Sequence, residues 1–282
     1  MKNIPDLPDI SFLDRPEILF FLFHPVKTRP SPYVSEKMLN LSFLVDDEIC
    51  VNGTIHLAFD PETAPNVLFF HGNGEVVADY NDIGPFYTKM GFNFAVVDYR
   101  GYGTRNGFPT YSSMIEDGHK VFHQFEGFMK ENGMKGPLFV MGRSLGSASA
   151  LELAANYPKK VDGLILESGF AHTYQLLINL GVNPQILDSA RELSVSNLEK
   201  IKKVKQPVLI IHGSKDEIIP VSDGHILYEV AQNEIKDELI IPWAGHNTLM
   251  LLGLNDYMKR ISRFVKRVES IEATRRSRQP PL

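Results

Sequence analysis

The sequence predicts an α/β fold, a mostly parallel sheet covered by helices on both faces. Three observations predict it: short apolar runs recur along the chain, longer amphipathic stretches separate them, and turn residues mark their ends. The runs are NVLFF (66–70), FNFAVV (92–97), PLFVM (137–141), VDGLIL (161–166), PVLII (207–211) and DELII (237–241). Continuous apolar runs of this length suit strands buried on both faces. The stretches at about 76–90, 113–131, 145–157 and 223–232 suit the crossover helices that parallel strands require.

Ahead of these units, LNLSFLV and TIHLAF bracket DDEICVNG. The polar residues and the Asn52-Gly53 pair predict an antiparallel hairpin at the sheet edge. The passage of roughly 40 residues between VDGLIL and PVLII breaks the alternation, and a long insertion of this kind suits a lid. We expect a short helical lid at about 170–200. The division that follows is an apolar segment at 1–39 packed on the domain, one domain over 40–268, and a basic, frayed tail at 269–282.

Composition narrows the function. The 282 residues are 43% apolar, which is ordinary for a globular chain able to bury a sizeable core. A net charge of -5, from 29 basic and 34 acidic residues, points away from nucleic acid. The single cysteine, Cys50, excludes an internal disulfide, so a cytoplasmic protein is expected. ILFFLF at 18–23 is too short to span a bilayer and follows acidic residues, so neither a signal peptide nor a stable membrane anchor is expected. A peripheral membrane contact is the alternative reading of that segment.

The chemistry is sought in loops after strands, where ligands of open α/β sheets bind. In GRSLG, Ser144 lies between Gly142 and Gly146, after one strand and before the helix-forming SASALELAANY. That is the setting of a nucleophile elbow, where small flanking residues allow a sharp turn that lifts the serine hydroxyl above the sheet. A serine needs a base, and the base needs an orienting carboxylate. Asp216 follows the strand PVLII, with Glu217 as its immediate competitor, and His246 follows the last strand. Their order, serine, acid, histidine, is the one this architecture uses.

FFHGNG, VDYRGYG, GRSLG, HGSKDEIIP and GHN together give the chain a resemblance to alpha/beta-hydrolase family proteins over roughly residues 40–268. It is most similar to the branch of small-lid serine hydrolases with HGN and GRSLG motifs, which includes acylglycerol hydrolases and depalmitoylating thioesterases. The resemblance implies the alpha/beta-hydrolase fold and acyl transfer to water, with no cofactor and a small-molecule acyl substrate. It also implies an oxyanion hole formed by the backbone N–H groups of Asn73 and Leu145, for which the neighbouring glycines at 72 and 74 leave room.

Other motifs receive structural readings. DYRGYGTRNG lacks dinucleotide-loop spacing and reads as a turn held by Asp98 and Arg100. Glu167 reads as a structural ion-pair partner, and His71 and His212 as hydrogen-bonded imidazoles at strand ends. Histidine spacing shows no metal-binding pattern, so no catalytic metal is expected. The function expected is a carboxylesterase or thioesterase type of serine hydrolase. A peptidase or amidase using the same residues, and a non-catalytic binding protein on the same fold, are the alternatives.

Overall fold

In a computed structural model, the described residues are 5, 7–29, 37–188 and 191–277, the last six by backbone alone. Eight strands form one sheet: β1 (Met38–Asp46), β2 (Ile49–His56), β3 (Asn66–Phe70), β4 (Asn93–Val97), β5 (Leu138–Arg143), β6 (Gly163–Glu167), β7 (Val208–Gly213) and β8 (Lys236–Ile241). Their order across the sheet is β1-β2-β4-β3-β5-β6-β7-β8. The pairs β1·β2 and β2·β4 are antiparallel and the rest are parallel.

Why the inner strands are apolar through their middles follows from the pleat. Leu68 and Phe70 of β3, with Leu138 and Val140 of β5, enter a core beneath α3 (Tyr111–Glu131), α4 (Ser147–Asn156) and α8 (Val221–Val230). Val67, Phe69, Phe139 and Met141 enter a second core beneath α2 (Gly84–Lys89) and α9 (Leu249–Ser277). With helices on both sides, neither set of alternating side chains meets water.

The insertion after β6 holds α5 (Thr173–Leu180), α6 (Glu192–Val195) and α7 (Asn197–Ile201). The N-terminal α1 (Pro16–Leu22) packs on α5, so the apolar segment and the insertion form one covering layer. Leu176 and Leu177 of α5 are buried in the first core. Leu187 packs at the edge of the same core and lines a cavity of about 200 Å³ with Phe12, Ile18 and Tyr174. Among the described residues no helix is long and apolar enough to cross a membrane.

Three expectations are corrected. The hairpin turns at Asp47 and Glu48, and Asn52-Gly53 lies inside β2. Gly53 is there for close packing, since a Cβ would stand 2.8 Å from the Phe43 ring. The stretch 76–90 is not one helix but a 3₁₀ turn, Val77–Tyr80, followed by α2. Pro85 restarts the helix in its first turn. The tail from residue 269 continues α9 as far as Ser277, and 278–282 lie outside the described residues. Arg100 reaches beyond its own turn as well, donating to both carboxylate oxygens of Asp117 on α3, each at 2.6 Å.

A buried ion pair joins α4 to the insertion: Lys200 Nζ lies 2.8 Å from Glu152 Oε2. Burial pushes the Glu152 carboxyl up, but Lys200 and His119 outweigh it and hold it down at about 2, from an ordinary 4.5. A depressed carboxyl contributes stability above its unfolded value, and that stability is lost as pH falls through the folded value. We expect urea titrations to show up to about 3 kcal/mol lost between roughly pH 4.5 and 2, with a smaller loss over that interval in Glu152→Gln.

Candidate active site

Parallel pairing of β3 with β5 sets Phe70 opposite Gly142, so the loops leaving these strands emerge side by side. One carries Gly72 and Asn73, the other Ser144 and Leu145. Close packing explains both glycines of GRSLG. A Cβ at Gly142 would collide with the carbonyl of Gly146, and one at Gly146 with the carbonyl of Phe70. Between them Ser144 is forced to φ 51°, a left-handed conformation that disfavours side chains. Ser147 Oγ donates to the Ser144 carbonyl at 2.6 Å and braces the turn.

The structure brings Ser144, His246 and Asp216 together. His246 Nδ1 lies 2.8 Å from Asp216 Oδ2, and Nε2 lies 2.9 Å from Ser144 Oγ. With Nδ1–H donating to the carboxylate, Nε2 is an acceptor for the serine hydroxyl. Ser168 also has positive φ, 46°, yet its buried Oγ has no hydrogen-bond partner. Strain alone does not mark a nucleophile; the imidazole opposite Ser144 distinguishes the two.

Asp216 is held from several sides. Oδ1 accepts from the backbone N–H groups of Ile218 at 3.0 Å and Ile219 at 2.8 Å. His212 Nε2 stands 3.3 Å from Oδ2 and 2.9 Å from the Ile219 carbonyl. Burial pushes the carboxyl up, but hydrogen bonds from His212 and His246 outweigh it, so it lies well below the usual carboxylate range. Asp216 is therefore ionised wherever the protein is folded near neutral pH. Glu217 takes a different part: its Oε2 accepts the backbone N–H of His246 at 3.1 Å.

Asn73 and Leu145 occupy the two adjacent loops, and the Asn73 side chain has a task that sequence reasoning missed. Its Oδ1 accepts from the His24 backbone N–H at 2.8 Å and the Tyr102 hydroxyl at 2.7 Å. Its Nδ2 lies 2.8 Å from His24 Nδ1. The amide thus clasps the segment after α1 to the loop after β3. No local motif announces a partner 49 residues away, and the same holds for the grip of His212 on Asp216. His71 sits between Asp98, at 3.3 Å, and the Gly72 carbonyl, at 2.8 Å, in the structural role expected of it.

The turn itself can be tested without a substrate. Gly146→Ala should destabilise the fold by at least about 2 kcal/mol, because the new methyl must displace backbone rather than a flexible side chain. Urea denaturation of the two proteins measures this directly.

Comparison with known proteins agrees with this architecture. The profile of a hydrolase family described as "Serine aminopeptidase, S33" matches residues 61–179. Human "Alpha/beta hydrolase domain-containing protein 17B" is 31% identical over 212 residues, which cover 73% of this chain and 67% of that protein. "Alpha/beta hydrolase domain-containing protein 17C" of Xenopus tropicalis is 28% identical over 220 residues, covering 76% and 65%. Among solved structures, an esterase of Pyrococcus furiosus superposes with a TM-score of 0.69 at 17% identity, over 86% of this chain and 99% of that one, a likeness of fold. Identity to the human protein over two thirds of its length makes the present chain a member of the alpha/beta-hydrolase family, and a hydrolase.

Proposed function

We propose that the protein is a serine hydrolase that cleaves a carboxylic ester or thioester through an acyl-enzyme. The observation that carries this reading is the continuous hydrogen-bonded line from Ser144 Oγ through His246 to Asp216. Binding alone would need none of those three side chains. Ser144 Oγ attacks the acyl carbon as His246 Nε2 takes its proton, and the resulting imidazolium is stabilised by ionised Asp216. His246 then returns the proton to the departing alcohol or thiol. Water, activated by the same imidazole, releases the acid and restores the serine.

The tetrahedral oxyanion is assigned to the backbone N–H groups of Asn73 and Leu145. Adjacency of their loops supports the assignment, as does the first turn of α4 just behind Ser144, whose dipole favours negative charge there. The substrate is a small acyl compound, and the steps need no cofactor. A peptidase is the second reading, favoured by the description of the matching family profile. Amide substrates offered beside esters and thioesters separate the two.

A fluorophosphonate probe should label wild type and leave Ser144→Ala unlabelled. Ser144→Ala and His246→Ala should each lower kcat on p-nitrophenyl esters by roughly 10⁴ or more, with Asp216→Asn nearly as severe. Substantial turnover by purified Ser144→Ala would refute the reading. Glu217→Gln keeps an oxygen to accept the His246 N–H and should stay within about threefold of wild type, whereas Glu217→Ala loses the acceptor and should fall about tenfold. Asn73→Ala keeps the backbone donor but loses the clasp to His24, so a fall of about tenfold is expected in place of silence.

A further inference from the structure

Arg143, the residue between the elbow glycine and Ser144, has a side chain only 11% exposed and touches four acceptors on three other chain segments. Its Nη2 donates to the His246 carbonyl at 3.1 Å and to Asn247 Oδ1 at 2.7 Å. Nη2 also stands 3.3 Å from Glu75 Oε1, and Nε 3.3 Å from Glu167 Oε1. Each carboxylate leads onward. Glu75 Oε2 accepts from the Gly72 N–H at 2.7 Å and from the Tyr80 hydroxyl at 2.6 Å. Glu167 Oε2 accepts from the Tyr257 hydroxyl of α9 at 2.6 Å. Gly72 leaves room for this approach: a Cβ there would stand 3.1 Å from Glu75 Oε2 and 3.2 Å from Arg143 Nη1 and would crowd both.

One guanidinium therefore meets the loop that carries His246, the loop that carries Asn73 and the end of β6, from a position next to Ser144 in the chain. We propose that Arg143 is a positioning residue for the hydrolytic reaction, holding the His246 loop and, through Glu75, the Gly72–Asn73 peptide in register with Ser144. The proposal rests on the serine-hydrolase reading and goes beyond it, because that chemistry asks nothing of the residue before the nucleophile. Arginine suits the task and lysine does not: the planar fork reaches several fixed acceptors at once, whereas an ammonium group is a compact point charge. Misplacement of reacting groups by about 1 Å costs on the order of 10²-fold in rate, which is the scale at stake here.

Arg143→Lys keeps the buried charge and isolates the geometry; Arg143→Ala makes a space that guanidinium ion can refill. The cluster lines a cavity of about 310 Å³, and Glu75 keeps 23% of its side chain exposed, so the ion has a route in. Folding of both variants is checked by calorimetry, and Arg143→Lys carries the test if Arg143→Ala does not fold. We expect folded Arg143→Lys to lose about 10²-fold in kcat on p-nitrophenyl acetate with KM within about threefold, and guanidinium chloride to restore part of the loss in Arg143→Ala. The downfield proton resonance of the His246–Asp216 hydrogen bond should shift or broaden in Arg143→Lys. Wild-type kcat in folded Arg143→Lys overturns the proposal, as does a slow variant whose resonance is unmoved. Failure of the wild type to hydrolyse or be labelled would remove the hydrolase reading instead, and the resonance would still decide whether Arg143 positions His246.

Discussion

The carbonyl of Phe70 leaves no space for a side chain at residue 146, and from that contact the rest of the site takes its position. It brings the start of α4 against the end of β3, which is possible only if the chain turns sharply at Ser144. The turn costs of order 1–3 kcal/mol in backbone strain. Such strain persists only where the surroundings over-determine it, and here they do. Strands β3 and β5 are buried along their whole length and paired in parallel register, and apolar layers press on both faces. The two cores thus hold a serine in a conformation that is uncommon for any residue with a side chain.

Around that turn, charged side chains are largely withdrawn from water, so each depends on fixed partners. Asp216 receives two backbone amides and two imidazoles, and Arg143 meets two carboxylates, a carbonyl and an amide oxygen. These partners come from loops far apart in sequence, which is how a site made of loops is tied to the sheet beneath it. Under the proposed reading, a site of this kind has its dipoles oriented before a substrate arrives.

Much of this was legible in the chain, for physical reasons that differ by element. Five of the six apolar runs announced strands because a strand buried on both faces has few polar positions to blur it, whereas β8 at the sheet edge is only half-buried. That Ser144, Asp216 and His246 come together was legible because each follows a strand at the same end of the sheet. The hairpin turn was misplaced because Asn52-Gly53 is a turn signal by composition, while Gly53 serves packing against Phe43. The single helix expected at 76–90 is split because the 3₁₀ turn stops at Tyr80 and Gly84-Pro85 starts a separate helix. The partnerships of Arg143, Glu217, His212 and the Asn73 amide were not legible, since they depend on which loops meet. Sequence spacing carries no record of that.

The outer strand β8 shows how the sheet closes its open side. Lys236 Nζ donates to the carbonyls of Tyr228, Glu229 and Ala231 at the C-terminal end of α8, Asp237 pairs with Arg260 of α9 at 2.6 Å, and Glu238 with His225 of α8 at 2.8 Å. Each charge ties the strand to a helix that covers it. A parallel sheet ending in an uncharged apolar strand would offer its unpaired N–H and C=O groups to a second molecule. With three consecutive charged residues there, a neighbouring chain that added itself as a ninth strand would have to bury charge, so the same residues that fasten β8 also guard the folded protein against edge-to-edge aggregation.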